Sequence, residues 1–183
     1  MTVRALWRVA ALCALAACGA EPEAPPSPAR SFRDATAVMG SQTDVTAAQL
    51  DGTWIVRRAF PGDGTGIGGA VTLTPGGEGF DLGWSALTCG PADCVPEEVT
   101  RAYQPSGPGR WRQVAGAEVA GPQVIWVFWV DGDRRTMAIG DPAGRYAFIL
   151  DRSAEGGADR IAAAREILDW YGFDVGSMQV RGG

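Results

Sequence analysis

The chain has no histidine, and every one of its 16 basic residues is an arginine. Without histidine it lacks the usual general base near neutral pH and the commonest zinc ligand. Without lysine it has no amine for a Schiff base or a Ser–Lys pair. Chemistry would fall to carboxylates, tyrosine or serine alone, so no catalytic residues are expected and an enzyme is the least favoured class. No cofactor or metal is expected either. Long apolar runs are missing: beyond the N-terminal region the longest, Val124–Val130, has seven residues, against the roughly 20 that a spanning helix needs. Basic clusters are missing as well, and 21 acidic residues leave a net charge of −5. An acidic surface of this kind argues against nucleic acid and against coating an anionic membrane.

The N-terminal residues are of another kind. Met1–Ala17 carries Arg4 and Arg8, then the apolar run Val9–Leu15, then small residues before Cys18. That layout is a secretory signal peptide. Leu15-Ala16-Ala17-Cys18 resembles the lipobox of bacterial lipoproteins. The resemblance implies that residues 1–17 are removed and that Cys18 is lipidated, with the lipid as the membrane anchor. Gly19 and Ala20 follow, with no aspartate at the position associated with inner-membrane retention. The implied location is therefore the outer membrane, facing the periplasm of a Gram-negative bacterium. Loss of Arg4 and Arg8 leaves 14 arginines against 21 acids, a formal charge of −7.

Residues 18–43 read as a lipidated N-terminus and flexible tether. Gly19–Arg30 is rich in proline, alanine and glutamate and has no apolar periodicity. Ser31–Asp44 has scattered apolar residues and no assignable element. The remainder, 44–183, is of a size for one domain with a single core. Within it Cys89 and Cys94 are spaced C-x₄-C. No further Cys or His exists to complete a metal site, and an oxidising compartment favours a disulfide between them.

From Thr53 to Asp151 short β-prone runs alternate with turn chemistry. The runs are Trp54–Phe60, Val71–Thr74, Phe80–Ser85, Glu98–Tyr103, Arg110–Ala115, Gln123–Val130, Arg134–Ile139 and Arg145–Asp151. The period then changes: Ile161, Ala164, Leu168 and Tyr171 recur at helical spacing, with Gly172 as the C′ residue and Phe173 as its apolar partner. A helix is expected over about 159–171, and a short strand over Val175–Val180. The fold class is all-β: an eight-stranded up-and-down antiparallel barrel, with the C-terminal helix packed on its outside and a short final strand. A β-sandwich shares these local patterns and stays open as an alternative.

Two motifs carry a family likeness. Leu50-Asp51-Gly52-Thr53-Trp54 resembles the Gly-x-Trp that opens the first strand of lipocalins, and Ile149-Leu150-Asp151-Arg152 resembles the end of their eighth strand with its arginine. Tyr171-Gly172-Phe173-Asp174 is similar to the C-terminal part of bacterial outer-membrane lipocalins. The likeness spans about 50–180 and is weakest over 74–115. It implies a structural set, Gly52, Trp54 and Arg152, with the arginine packed across the indole at the closed end of the barrel. It also implies a ligand of the fatty acid or lysophospholipid class.

Other motifs dissolve on inspection. Gly64–Gly69 spells G-x-G-x-x-G but precedes a strand, so it lacks the helix N-terminus that a dinucleotide needs. As the first loop of a lipocalin it would instead be a lid over the open mouth. Asp131-Gly132-Asp133 starts like a calcium loop, but Pro142 stands where the closing glutamate belongs. Glu97 and Glu98 are adjacent and face opposite ways in a strand. The candidate ligand-binding residues are the strand aromatics Trp84, Tyr103, Trp111, Trp126 and Phe128, the last two taken as inward by alternation. Arg57, Arg58, Arg101 and Arg112 are candidate partners for a head group. The leading function is a membrane-anchored protein that holds a small hydrophobic or amphipathic molecule in its barrel. A periplasmic protease inhibitor acting through an exposed segment such as 31–44, and a structural envelope lipoprotein, are the alternatives.

Overall fold

A computed structural model describes residues 30–89, 93–114 and 121–181. The signal segment, Cys18 and the tether up to residue 29 lie outside the described residues. Eight strands follow one another around a ring: β1 (Gly52–Ala59), β2 (Ala70–Gly76), β3 (Gly79–Cys89), β4 (Cys94–Gly107), β5 (Arg110–Gln113), β6 (Val124–Val130), β7 (Thr136–Gly140) and β8 (Ala147–Asp151). Each pairs antiparallel with the next, and β1 pairs with both β8 and β2, which closes the sheet on itself. Closure excludes the sandwich and removes the free edges that an open sheet exposes. The first half of β1, Gly52–Ile55, bonds to β2; its second half, Arg58–Ala59, bonds to the short outer strand β9 (Gln179–Val180). The final strand thus takes the stretch of β1 that β2 leaves free.

Alternation along the strands sorts the apolar residues into two clusters. Trp54, Val56, Val71, Leu73, Phe80, Leu82, Trp84, Tyr103, Trp111, Ile125 and Val127 point into the barrel. Phe60, Phe128, Ala138, Ala147 and Ile149 point outward and meet helix α1 (Ala158–Trp170) through Ile161, Ala164 and Leu168. That is why β7 and β8 are buried along their whole length: one face sees the barrel interior and the other the helix.

The end of α1 is a Schellman turn. The Gly172 N–H donates to the Asp169 carbonyl at 2.8 Å and the Phe173 N–H to that of Leu168 at 3.0 Å, with Gly172 at φ +83°. Phe173 is thereby turned back onto the outer cluster, where it meets Phe128 and Phe60. At the other end Arg160 ties the helix to the barrel. Its Nε–H donates to Thr136 Oγ1 at 2.7 Å and its Nη2 to Asp151 Oδ2 at 3.0 Å.

Residues 31–43, expected to belong to the tether, pack on the barrel instead. Phe32 stacks on Phe60 with centroids 4.3 Å apart, and its backbone bonds to Gly144 and Asp174. Arg33 forms a bridge with Phe173, and its guanidinium donates to the Tyr171 carbonyl. The signal was hard to see because these anchors are single residues spaced along irregular chain, with no period to detect. The segment leads into a 3₁₀ turn, Ala47–Leu50, where the Thr46 N–H donates to Gln49 Oε1.

Candidate functional site: the barrel interior and its two ends

One end of the barrel is shut. The 3₁₀ turn lies across it and buries Ala47 and Leu50 against the interior cluster. Trp54 is fully buried, and its Nε1–H donates to the Leu50 carbonyl at 2.8 Å. The Arg152 guanidinium sits 3.6 Å from the centroid of the indole and donates to the carbonyls of Thr53 and Asp51. Gly52 is required twice over: φ is +95°, and a Cβ there would stand 3.1 Å from Arg152 Nη1. Above this floor Trp111 donates to the Glu78 carbonyl at 3.2 Å, and Phe80 packs against both Trp111 and Tyr103.

Two tyrosines hold the wall midway. Tyr103 donates to the Pro122 carbonyl, and Tyr146 donates to the Val124 carbonyl while accepting from the Val124 N–H. Burial pushes both phenols above the usual tyrosine range. They stay neutral and serve as hydrogen-bonding members of a largely apolar wall.

The other end carries the loop 61–69 between β1 and β2. Asp63 Oδ1 accepts from the Thr65 N–H and hydroxyl, and the Thr65 Oγ1 accepts from the Ile67 N–H. This folds Thr65 and Ile67 inward, and Ile67 joins the interior cluster. The loop backbone at Gly66 lies beside Trp84 and Ala86. The loop therefore covers this part of the mouth.

Trp84, Tyr103 and Trp111 come together inside the barrel, and Trp126 and Phe128 do not. The inward assignment of those two is a correction. Both pack outside, Phe128 against Tyr171 and Phe173, and Trp126 under the Arg110 guanidinium at 3.9 Å. The cause is a bulge in β6. Val127 pairs with Ile139 but Trp129 pairs with Ala138, so an extra residue at 128 resets the alternation. Ile125, Val127 and Val130 face in, and Phe128 and Trp129 both join the outer cluster. Gln42 bonds the distorted strand: its N–H donates to the Val127 carbonyl, and its Oε1 accepts from the Val130 N–H at 2.7 Å.

The four arginines considered for a head group also separate. Arg57 donates to the Ser153 and Gly156 carbonyls outside the barrel. Arg58 stands near Arg165 of the helix, and desolvation followed by that charge holds it below the usual arginine range. Arg112 is exposed on the outward face of β5. Arg101 alone shares the inward side of β4 with Val99 and Tyr103, opposite Leu82. Gln113, which the sequence did not single out, shares the inward side of β5 with Trp111 and pairs with Tyr103. Its signal was the alternation with Trp111.

The remaining motifs take ordinary roles. Asp131 Oδ1 accepts from the N–H groups of Arg135 and Thr136, so 131–135 is a hairpin turn. Among the described residues no group of carboxylates and cysteines is placed to hold a metal. Cys89 and Cys94 are directly opposed at the end of the β3–β4 ladder.

The fold is a closed eight-stranded up-and-down barrel with an interior cluster, a capped floor and one flanking C-terminal helix, an architecture that lipocalins share. Insecticyanin from the tobacco hornworm Manduca sexta shares this fold with a TM-score of 0.59 over 80% of this chain and 85% of that one, at 15% identity. No family model matches the chain, and no curated protein matches it.

Proposed function

We propose that the mature protein is a lipid-anchored binding protein that holds a fatty acid or lysophospholipid in its barrel. The observation that supports this best is the pairing of an aromatic interior, Trp84, Tyr103 and Trp111, with a loop whose Ile67 folds into the same cluster. An apolar chain sheltered there gains about 25 cal/mol per Å² removed from water. The loop 61–69 would swing out to admit it. Binding rather than catalysis is the natural use of a wall built mainly from apolar side chains and neutral phenols. Lipid on Cys18 would moor the barrel beside a membrane source of such ligands, at the outer membrane, each buried CH₂ of the anchor contributing about 0.8 kcal/mol.

The opposed positions of Cys89 and Cys94 suit a disulfide, which for so short a loop adds about 2 kcal/mol by chain-entropy arithmetic. The inhibitor reading loses its free N-terminal segment, since Phe32, Asp34 and Gln42 are all bonded to the barrel or the helix end. Native mass spectrometry of protein extracted from its own membrane tests the proposal. A co-purifying single-chain lipid is expected. Ligand-free protein that also fails to quench its tryptophans on titration with lysophospholipid would overturn it.

A further inference from the structure

Near the mouth, four buried polar atoms have no hydrogen-bond partner among the described residues: Trp84 Nε1, Arg101 Nε and Gln113 Oε1 in the barrel wall, and Asp63 Oδ2 on the covering loop. The three in the wall belong to three neighbouring strands and to one patch, whereas Asp63 moves with the loop. Arg101 lies opposite Leu82, so Trp84 is its diagonal neighbour on β3. Gln113 lies opposite Tyr103, so it is the diagonal neighbour on β5. Diagonal positions on one face of a sheet lie about 7–8 Å apart, within reach of long side chains. Trp84 is 3% exposed, and a buried N–H without an acceptor is destabilising. Elsewhere in the interior the indoles of Trp54 and Trp111 both reach a carbonyl. A barrel that satisfies its other interior tryptophans and leaves this one waiting points to an acceptor that arrives from outside.

We infer that Arg101, Trp84 and Gln113 form a head-group site in the barrel wall, and that the head group is an anion, a carboxylate or a phosphate, borne on an apolar tail. The inference rests on the lipid-binding reading above and makes it specific. Two of the three unpartnered wall atoms are donors, one on a guanidinium that carries positive charge at any ordinary pH. Gln113 adds a group that can donate through its amide or accept through its oxygen. The tail then lies along Leu82 and Tyr103 toward the floor. Arg101 is suited to the task because its Nη1 is already held by the Thr100 carbonyl at 2.8 Å, which orients the guanidinium while leaving Nε free.

The test compares three probes with the same eighteen-carbon tail: oleate, oleoyl lysophosphatidate and uncharged oleyl alcohol. Each is titrated into wild type, Arg101→Gln and Trp84→Phe by calorimetry, with urea unfolding to confirm that the variants fold. Wild type is expected to prefer the two anion-bearing probes over the alcohol by about tenfold or more. Arg101→Gln should bring all three together, and Trp84→Phe should weaken the anionic probes by a few-fold. Inorganic phosphate at millimolar concentration should not displace oleate, because the tail is needed. Equal affinity for oleate and oleyl alcohol in wild type, or a preference untouched by Arg101→Gln, overturns the head-group site while leaving the lipid-binding reading intact. Displacement by phosphate overturns the requirement for a tail. Failure of all three probes to bind overturns both readings together.

Discussion

Trp54 and Trp84 are both buried in the same barrel, yet one indole donates to the Leu50 carbonyl at 2.8 Å and the other has no acceptor among the described residues. Around Trp54 the neighbourhood is complete: Arg152 covers the ring and donates to two carbonyls, and the 3₁₀ turn seals the end. Around Trp84 it is not, for Arg101 and Gln113 also hold unpartnered buried atoms, and the covering loop is glycine-rich. Buried polar atoms that help a fold are paired, because leaving one unpaired costs as much as a typical hydrogen bond contributes. The contrast therefore separates a floor that holds the fold together from a mouth that stands ready for something else. It also separates stability from binding, so substitutions at the two ends should have different consequences.

The largest effect should come from Trp54→Ala. It removes a buried ring and opens a cavity at the floor, with an expected loss of about 3–5 kcal/mol in urea unfolding. A loss under about 1 kcal/mol would show that the floor does not hold the barrel. A finer comparison uses one chemical change at both ends. Trp54→Phe and Trp84→Phe delete similar apolar area, but only the first orphans the Leu50 carbonyl. Trp54→Phe should therefore cost about 1–3 kcal/mol more than Trp84→Phe. Equal losses would mean that Trp84 has an acceptor after all, and the contrast between the ends would fall. Next in size is Arg152→Met, which keeps the aliphatic cover but removes the charge over the indole. About 0.5–2 kcal/mol should be lost, and ligand affinity should not change. A matching fall in affinity would tie the floor to the binding site.

Much of this was legible because strands and helices have periods. The eight strands and the helix with Gly172 and Phe173 at its end are marked by spacing or by a local turn requirement, while the Gly52–Trp54–Arg152 set is legible only through the resemblance to lipocalins. Two things were not legible, for two different reasons. Unbroken alternation through β6 places Trp126 and Phe128 inward, and a bulge leaves no mark in residue types when every neighbour is apolar. The segment 31–43 reads as tether because its anchors, Phe32, Arg33 and Gln42, act one at a time across long sequence separations. For the ligand site, the aromatic wall could be guessed from strand composition. Singling out Arg101 from its fellow arginines needed the register that puts it opposite Leu82.

The smallest effect concerns acid, and it too should belong to the floor. Asp151 is fully buried at the end of β8; it accepts from the Thr136 hydroxyl at 2.5 Å, from the Ser153 N–H at 2.8 Å and from Arg160 at 3.0 Å. Desolvation works to raise its pKa, but these hydrogen bonds, with the Arg160 charge, outweigh it and hold the carboxyl below the usual aspartate range. A carboxyl whose folded pKa is depressed stabilises the fold fully above its unfolded pKa of about 3.9, and that contribution is lost as pH falls through the folded value. Thr136→Val removes one of the bonds and should move the folded pKa back toward the ordinary range. The acid limb of the stability curve, followed by circular dichroism, should then shift to higher pH by a fraction of a unit, with little change in its shape near neutrality. If the limb stays where it is, the helix anchor at Asp151 does not set the acid stability of this end. Trp84→Phe offers the control from the mouth, since among the described residues no carboxyl bonds to that indole, and its acid limb should coincide with that of wild type.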